Sequence, residues 1–172
     1  MIPATQKKLR EAQYFLAQLA AQERIPVSQC EPEVAEFYFN AYVSAARSVT
    51  WMLQKEAKEK YDEWFPSWLA SRADNERLTL SRFDKERIEI VHRKGADLNT
   101  ENVLIPVKLR PSSSKVIRPF WAQSSAPETK MGVFRLVCRF AFDNHEASAS
   151  EAASHNTSIL NALVADFERA FA

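Results

Sequence analysis

The spacing of apolar residues changes near Gly95, and this change restricts the fold more than any other feature of the chain. Before Gly95, apolar side chains recur every three or four residues, which is the period of an amphipathic helix. From Val133 to Phe142 they alternate with polar ones, which is the period of a half-buried strand. After Ser148 the helical period returns. A mainly helical bundle with a small antiparallel sheet inserted before its C-terminal helix is therefore predicted.

Helix boundaries follow from prolines, glycines and capping residues. Pro32 suits the first turn of the second helix, and Gly95 suits the left-handed cap after the third. Ser148 or Ser150 can cap the last helix. Pro66 lies within the aromatic segment 61–69 and is expected to break the helix there. The aromatic side chains of this segment are expected to cover one end of the hydrophobic core of the bundle. The predicted helices are residues 5–22, 33–60, 74–94 and 148–172.

The segment 103–142 is predicted to form the sheet and is strongly basic. It carries seven basic residues and one acidic residue, whereas the whole chain of 172 residues carries 23 and 22. Such a surface can hold the phosphates of RNA, although the outward face of any half-buried sheet is also polar. Both interpretations stay open. The candidate RNA-binding residues are Lys108, Arg110, Lys115, Arg118, Arg135 and Arg139.

Composition excludes several classes of protein. Gly95 and Gly132 are the only glycines, so phosphate-binding loops of the P-loop and dinucleotide type cannot be built. Cys30 and Cys138 lie far apart and belong to no metal-ligand cluster, so no metal or cofactor is expected. The chain has no signal-like start and no uncharged apolar run near 18 residues. We therefore expect a cytoplasmic protein without a membrane partner.

The third predicted helix carries the candidate catalytic pair, Arg87 and His92. On a helical wheel, Arg87 falls in the middle of the apolar stripe, about 20° from Leu80. A buried guanidinium needs a partner, a water-filled cleft or an incoming anion. Asp84, one turn earlier, could neutralise it. His92 lies about 140° from Arg87 around the same helix, so either the long arginine side chain or a second copy of the helix would have to close the gap between them.

The segment 83–95, FDKERIEIVHRKG, resembles the signature helix of HEPN domains, in which four to six residues lie between an arginine and the histidine that follows it. The preceding helix, from Phe37 to Trp51, is similar in character to the second helix of that family. The resemblance covers residues 5–95, with 148–172 as a possible fourth helix. The sheet, residues 103–142, would be an insertion without a counterpart in the family. All of these segments are expected to form a single domain, residues 1–172.

The resemblance implies a homodimer that joins two Arg/His pairs in one cleft and cleaves RNA without metal. His92 would be general acid or base at the ribose 2′-hydroxyl or the leaving 5′-oxygen, and Arg87 would hold the scissile phosphate. Cleavage should leave a 2′,3′-cyclic phosphate. Polar residues that could support this site are Asp84, Asn40, Ser44 and Arg47.

One position departs from the family pattern. Ile88 stands where the family often has a polar residue, usually asparagine, and it cannot orient a phosphate or a water molecule. Two functions therefore stay open. The first is an endoribonuclease of the toxin or antiphage-defence kind, with a possible cognate antitoxin. The second is a non-catalytic dimeric module that binds RNA or protein.

Overall fold

A computed structural model describes residues 2–92, 98–106, 134–141 and 147–172. Within these ranges the chain forms five α-helices, a short 3-10 turn at Val27–Gln29 and two strands. The predicted class, mainly helical with a small antiparallel sheet before the C-terminal helix, is confirmed. The elements are α1 (Pro3–Gln22), α2 (Pro32–Glu56), α3 (Lys58–Ala70), α4 (Asp74–His92), β1 (Asn99–Pro106), β2 (Phe134–Ala141) and α5 (Ala149–Ala170).

Helix α2 forms the centre of the bundle. Along its length Phe39, Tyr42, Val49 and Leu53 are completely buried. They pack against α1 on one side and against α4 and α5 on the other. This distribution follows from the wide apolar face of the α2 sequence, because a helix that is apolar over much of its circumference must be covered from several directions.

The prediction of a broken helix at Pro66 is wrong. Pro66 lies inside α3, and the break falls earlier, at Ala57, where φ is −145°. Proline removes one helical hydrogen bond, but it leaves the rest of a short helix intact when packing supports it. That packing comes from aromatic pairs one turn apart: the rings of Tyr61 and Phe65 stack with centroids 4.7 Å apart.

Carboxylates hold both ends of α1. At its N-terminus the Glu56 carboxylate accepts hydrogen bonds from the N–H groups of Ala4 and Thr5, at 2.9 and 2.8 Å. At its C-terminus Glu23 accepts a hydrogen bond of 3.0 Å from the Ser148 hydroxyl. Ser148 is also the N-cap of α5, which settles the choice between the two predicted capping serines.

The two strands pair in antiparallel register, with Asn102 opposite Cys138 and Val103 opposite Val137. A further bridge joins Pro26 to Val137, so the sheet contacts the connection between α1 and α2. The sheet, predicted for residues 103–142, begins earlier, at Asn99. Residues 107–133 of the predicted segment lie outside the described residues. None of the helices in the described ranges is long and apolar enough to cross a bilayer.

Candidate functional site

A cleft of about 590 Å³ opens between α2, α3 and α4, and α5 forms its floor. Its walls combine apolar side chains with a few polar groups, which is the usual composition of a small-molecule pocket. It includes Ile88, the residue that follows the candidate catalytic arginine. Its polar lining includes Arg47, Thr50, Tyr61, Asp84 and Asn156.

An ion pair between Arg47 and Asp84 joins α2 to α4 along this cleft. Arg47 Nε lies 3.1 Å from Asp84 Oδ1, and Arg47 Nη1 donates a 2.5 Å hydrogen bond to the Thr50 hydroxyl. Both charged side chains are substantially exposed, so the pair contributes modestly to stability. Its main effect is to fix where the guanidinium points.

Tyr61 belongs to the same cluster, although the sequence had not indicated it. The side chain is buried, and burial raises the pKa of its hydroxyl to about 12. Positive charge on Arg47 opposes that shift, whereas Asp84 adds to it. The phenol therefore stays protonated at neutral pH and can act as a hydrogen-bond donor. The only sequence feature that pointed to Tyr61 was the spacing of the aromatic residues, and that spacing is equally typical of side chains that pack in the hydrophobic core.

The floor of the cleft contains a buried polar network. The Tyr42 hydroxyl donates to the Ala153 carbonyl at 2.7 Å and lies 2.9 Å from the Thr157 hydroxyl. Asn156 Nδ2 donates to the Tyr42 oxygen at 3.0 Å. Burial raises the pKa of Tyr42 to about 12, although its hydrogen bonds with Thr157 and Asn156 partly offset this effect. Asn156 Oδ1 is buried and accepts no hydrogen bond.

The predicted catalytic residues lie on α4, beside the cleft. Arg87 is exposed and makes no hydrogen bond or ion pair in the part of the chain that the structure describes. On the helical wheel Arg87 lies between Leu80 and Phe83, which both pack against the core, but its own side chain is exposed. The burial expected from its position in the apolar stripe is therefore not found. His92 ends α4, and its side chain lies outside the described residues.

Two of the four predicted supporting residues, Arg47 and Asp84, are brought together at the cleft. Asp84 therefore pairs across the helix interface and does not neutralise Arg87 on its own helix. The other two, Asn40 and Ser44, lie farther towards the start of α2 and do not belong to the cleft lining. Asn40 is half-buried and Ser44 is exposed.

Two of the six predicted RNA-binding residues lie within the described residues. Arg135 is exposed on β2. Arg139 Nη2 lies 3.4 Å from the Glu151 carboxylate, so this guanidinium connects the sheet to the first turn of α5. The other four, Lys108, Arg110, Lys115 and Arg118, lie outside the described residues.

Comparisons with known proteins identify no relative: no family model, curated protein or solved structure matches the chain. Within the described residues, no group of three or more histidine, cysteine, aspartate or glutamate side chains could hold a metal ion.

Proposed function

We propose that the protein is a HEPN-like, metal-independent endoribonuclease that acts as a homodimer. The observation that supports this proposal is the state of Arg87. Its guanidinium is exposed and makes no hydrogen bond or ion pair with the described residues, because Asp84 pairs with Arg47 instead. An exposed, permanently charged group five residues before His92 is available to an incoming phosphate.

In the proposed reaction, Arg87 binds the scissile phosphate and stabilises the negative charge that develops on it. His92 takes the proton from the ribose 2′-hydroxyl, or gives a proton to the leaving 5′-oxygen. The 2′-oxygen then attacks phosphorus, and the bond to the 5′-oxygen breaks. A homodimer would supply two copies of His92, one for each of the two proton transfers. We place this activity in the cytoplasm, as a toxin or defence enzyme that a cognate antitoxin could control.

The test is cleavage of end-labelled tRNA and total RNA in excess EDTA. Wild type is expected to cut and leave 2′,3′-cyclic phosphate ends, and Arg87→Ala and His92→Ala to lose at least a hundredfold in rate. Arg10→Ala is the matched control, because Arg10 is also an exposed helical arginine, on α1. Cutting that both site variants retain, or that EDTA abolishes, would contradict the proposal.

A second function is favoured by exposed apolar residues on α2 and α4. Ile88 is 52% exposed, and on α2 Phe37 and Trp51 are 58% and 55% exposed. Apolar side chains in such positions are typical of protein interfaces. The alternative is therefore a non-catalytic dimeric module that binds RNA or protein. A wild type that dimerises but cuts none of the RNA offered would favour it.

A further inference from the structure

The two cysteines of the chain lie on segments that the fold holds against each other. Cys30 directly follows the 3-10 turn Val27–Gln29, and its N–H donates a 3.3 Å hydrogen bond to the first carbonyl of that turn. Cys138 lies in β2, next to Val137, which forms an isolated β-bridge with Pro26. The bridge and the turn therefore fix the connection between α1 and α2 beside the strand that carries the second cysteine.

The thiol groups of Cys30 and Cys138 are also neighbours. Cys138 is 3% exposed and belongs to the hydrophobic core, and the half-buried Cys30 packs against that core. The two thiols share a hydrogen bond, and both are free. Thiols in hydrogen-bonding contact are within reach of the separation that a disulfide requires. The proposed ribonuclease reaction uses neither of them.

We propose that Cys30 and Cys138 form a reversible disulfide when the protein meets an oxidising pool of small disulfides, and that this bond fastens β2 to the connection between α1 and α2. No other disulfide can form within one chain, since these are its only cysteines. The closed loop contains α2, α3, α4 and β1. A bond that closes so long a loop restricts the unfolded chain strongly, so the oxidised protein is the more stable form. This inference does not depend on ribonuclease activity.

The bond forms in two exchange steps, with oxidised glutathione as the oxidant. Cys30, the more accessible thiol, loses its proton to water and attacks one sulfur of oxidised glutathione. A mixed disulfide forms, the S–S bond of glutathione breaks, and one glutathione thiolate leaves. Deprotonated Cys138 then attacks the sulfur of Cys30 and displaces the second glutathione. Two electrons pass from the protein to glutathione, and the two glutathione thiolates take up the two protons.

Equilibration of the full chain in glutathione buffers tests the proposal. Burial raises the pKa of the Cys30 thiol and slows exchange in the folded protein, so equilibrium is approached by refolding both the reduced and the oxidised chain from urea. Mass spectrometry after acid quenching distinguishes the disulfide, which lacks two hydrogens, from the mixed disulfide, which carries glutathione. The buffer ratio at half-oxidation gives the effective concentration of the two thiols for each other.

This effective concentration is expected to be roughly a hundredfold higher in the folded protein than in concentrated urea, as for a typical native disulfide. Denaturant unfolding should give an equilibrium constant that is smaller for the oxidised than for the reduced protein by the same factor, because the two ratios belong to one thermodynamic cycle. An effective concentration in the folded protein that is equal to or below the value in urea, or a mixed disulfide as the main product, would overturn the proposal.

A displaced cysteine separates the folded contact from the mere presence of two thiols. The double variant Gln29→Cys, Cys30→Ser moves the thiol to the neighbouring exposed position, and the length of the loop hardly changes. Its effective concentrations in the folded and the unfolded chain should agree within about threefold. A variant that forms the disulfide as readily as wild type would show that the contact between Cys30 and Cys138 has no part in the reaction, and would overturn the assignment.

Discussion

The thiols of Cys30 and Cys138 lie together in the structure, although 107 residues separate them in the chain. Burial raises the pKa of Cys30 to about 12, and a hydrogen bond to the Cys138 thiol and the nearby Glu31 carboxylate add to the effect. Sequence spacing could not reveal this contact, because it depends on how β2 packs against the connection before α2. A cysteine with so high a pKa is a poor nucleophile at neutral pH.

Cys30 should therefore react slowly with iodoacetamide at pH 8. The ordinary pKa of 9.0 and the raised value of about 12 predict a thiolate fraction roughly a thousandfold smaller than in the unfolded chain. Mass spectrometry of the folded protein, with a urea-unfolded sample as control, measures the ratio of alkylation rates. A folded protein that reacts as fast as the unfolded one would contradict the assigned environment.

At the level of the elements, Glu56 at the end of α2 caps the N-terminus of α1, although the two lie more than 50 residues apart in the chain. Partial burial alone would raise the pKa of this carboxyl, but hydrogen bonds from the Thr5 hydroxyl and from the N–H groups of Ala4 and Thr5 outweigh it. The pKa is therefore below its ordinary value. The carboxylate replaces a local N-cap, since no side chain at the start of α1 makes a capping hydrogen bond.

Because the pKa of Glu56 is lowered in the folded state, its contribution to stability is present above the unfolded-state pKa. It is lost as pH falls through the folded-state value. Glu56→Gln should lower the free energy of unfolding by about 0.5 to 1 kcal/mol at pH 7, a figure reduced for solvent exposure. The difference from wild type should shrink between pH 5 and pH 3, which denaturant unfolding across pH would measure.

Glu63→Gln is the matched control, since Glu63 is an exposed glutamate on α3. This variant should match wild type across the same pH range. A Glu56→Gln deficit that stayed constant from pH 7 to pH 3 would mean that the carboxylate charge has no part in holding α1.

An element could be predicted when the residues that determine it are close together in the sequence, and was missed when it depends on contacts formed only in the folded chain. Helix α5 was predicted well because its period and its capping serine are local in sequence. Helix α3 was missed because Pro66 is a strong local breaking signal, whereas the ring contacts that support the helix appear only after folding. The start of β1 at Asn99 was also missed, because register is set by pairing with β2.

For the whole molecule, the candidate site was predicted in part. The ion-pair partner of Arg47 is Asp84, which lies 37 residues away, so no rule based on spacing within one helix could find it. The exposed position of Arg87 depends on the direction from which α4 meets the core, and Tyr61 and Asn156 join the cleft only through tertiary packing. Residue type suggested candidates, but packing decided which of them meet.

The homodimer in the proposed function gives a prediction at this scale. Ile88 is 52% exposed beside Arg87, and a charge in its place would be buried unpaired in an interface formed by this face of α4. Ile88→Asp should convert the dimer to a monomer in light scattering, with a dissociation constant at least a hundredfold weaker. Leu104→Asp, at a 63% exposed position on β1, is the control. Dimers that survive Ile88→Asp would exclude this face as the interface.

The attachment of α1 also has a consequence for how the chain folds. Helix α1 can pack on α2 early in synthesis, but the Ser148 hydroxyl that Glu23 binds follows 125 residues later. The C-terminal end of α1 must therefore wait, with part of its apolar face uncovered, until α5 has left the ribosome. Contacts between the two ends of a chain slow folding, and exposed apolar surface invites aggregation during the delay.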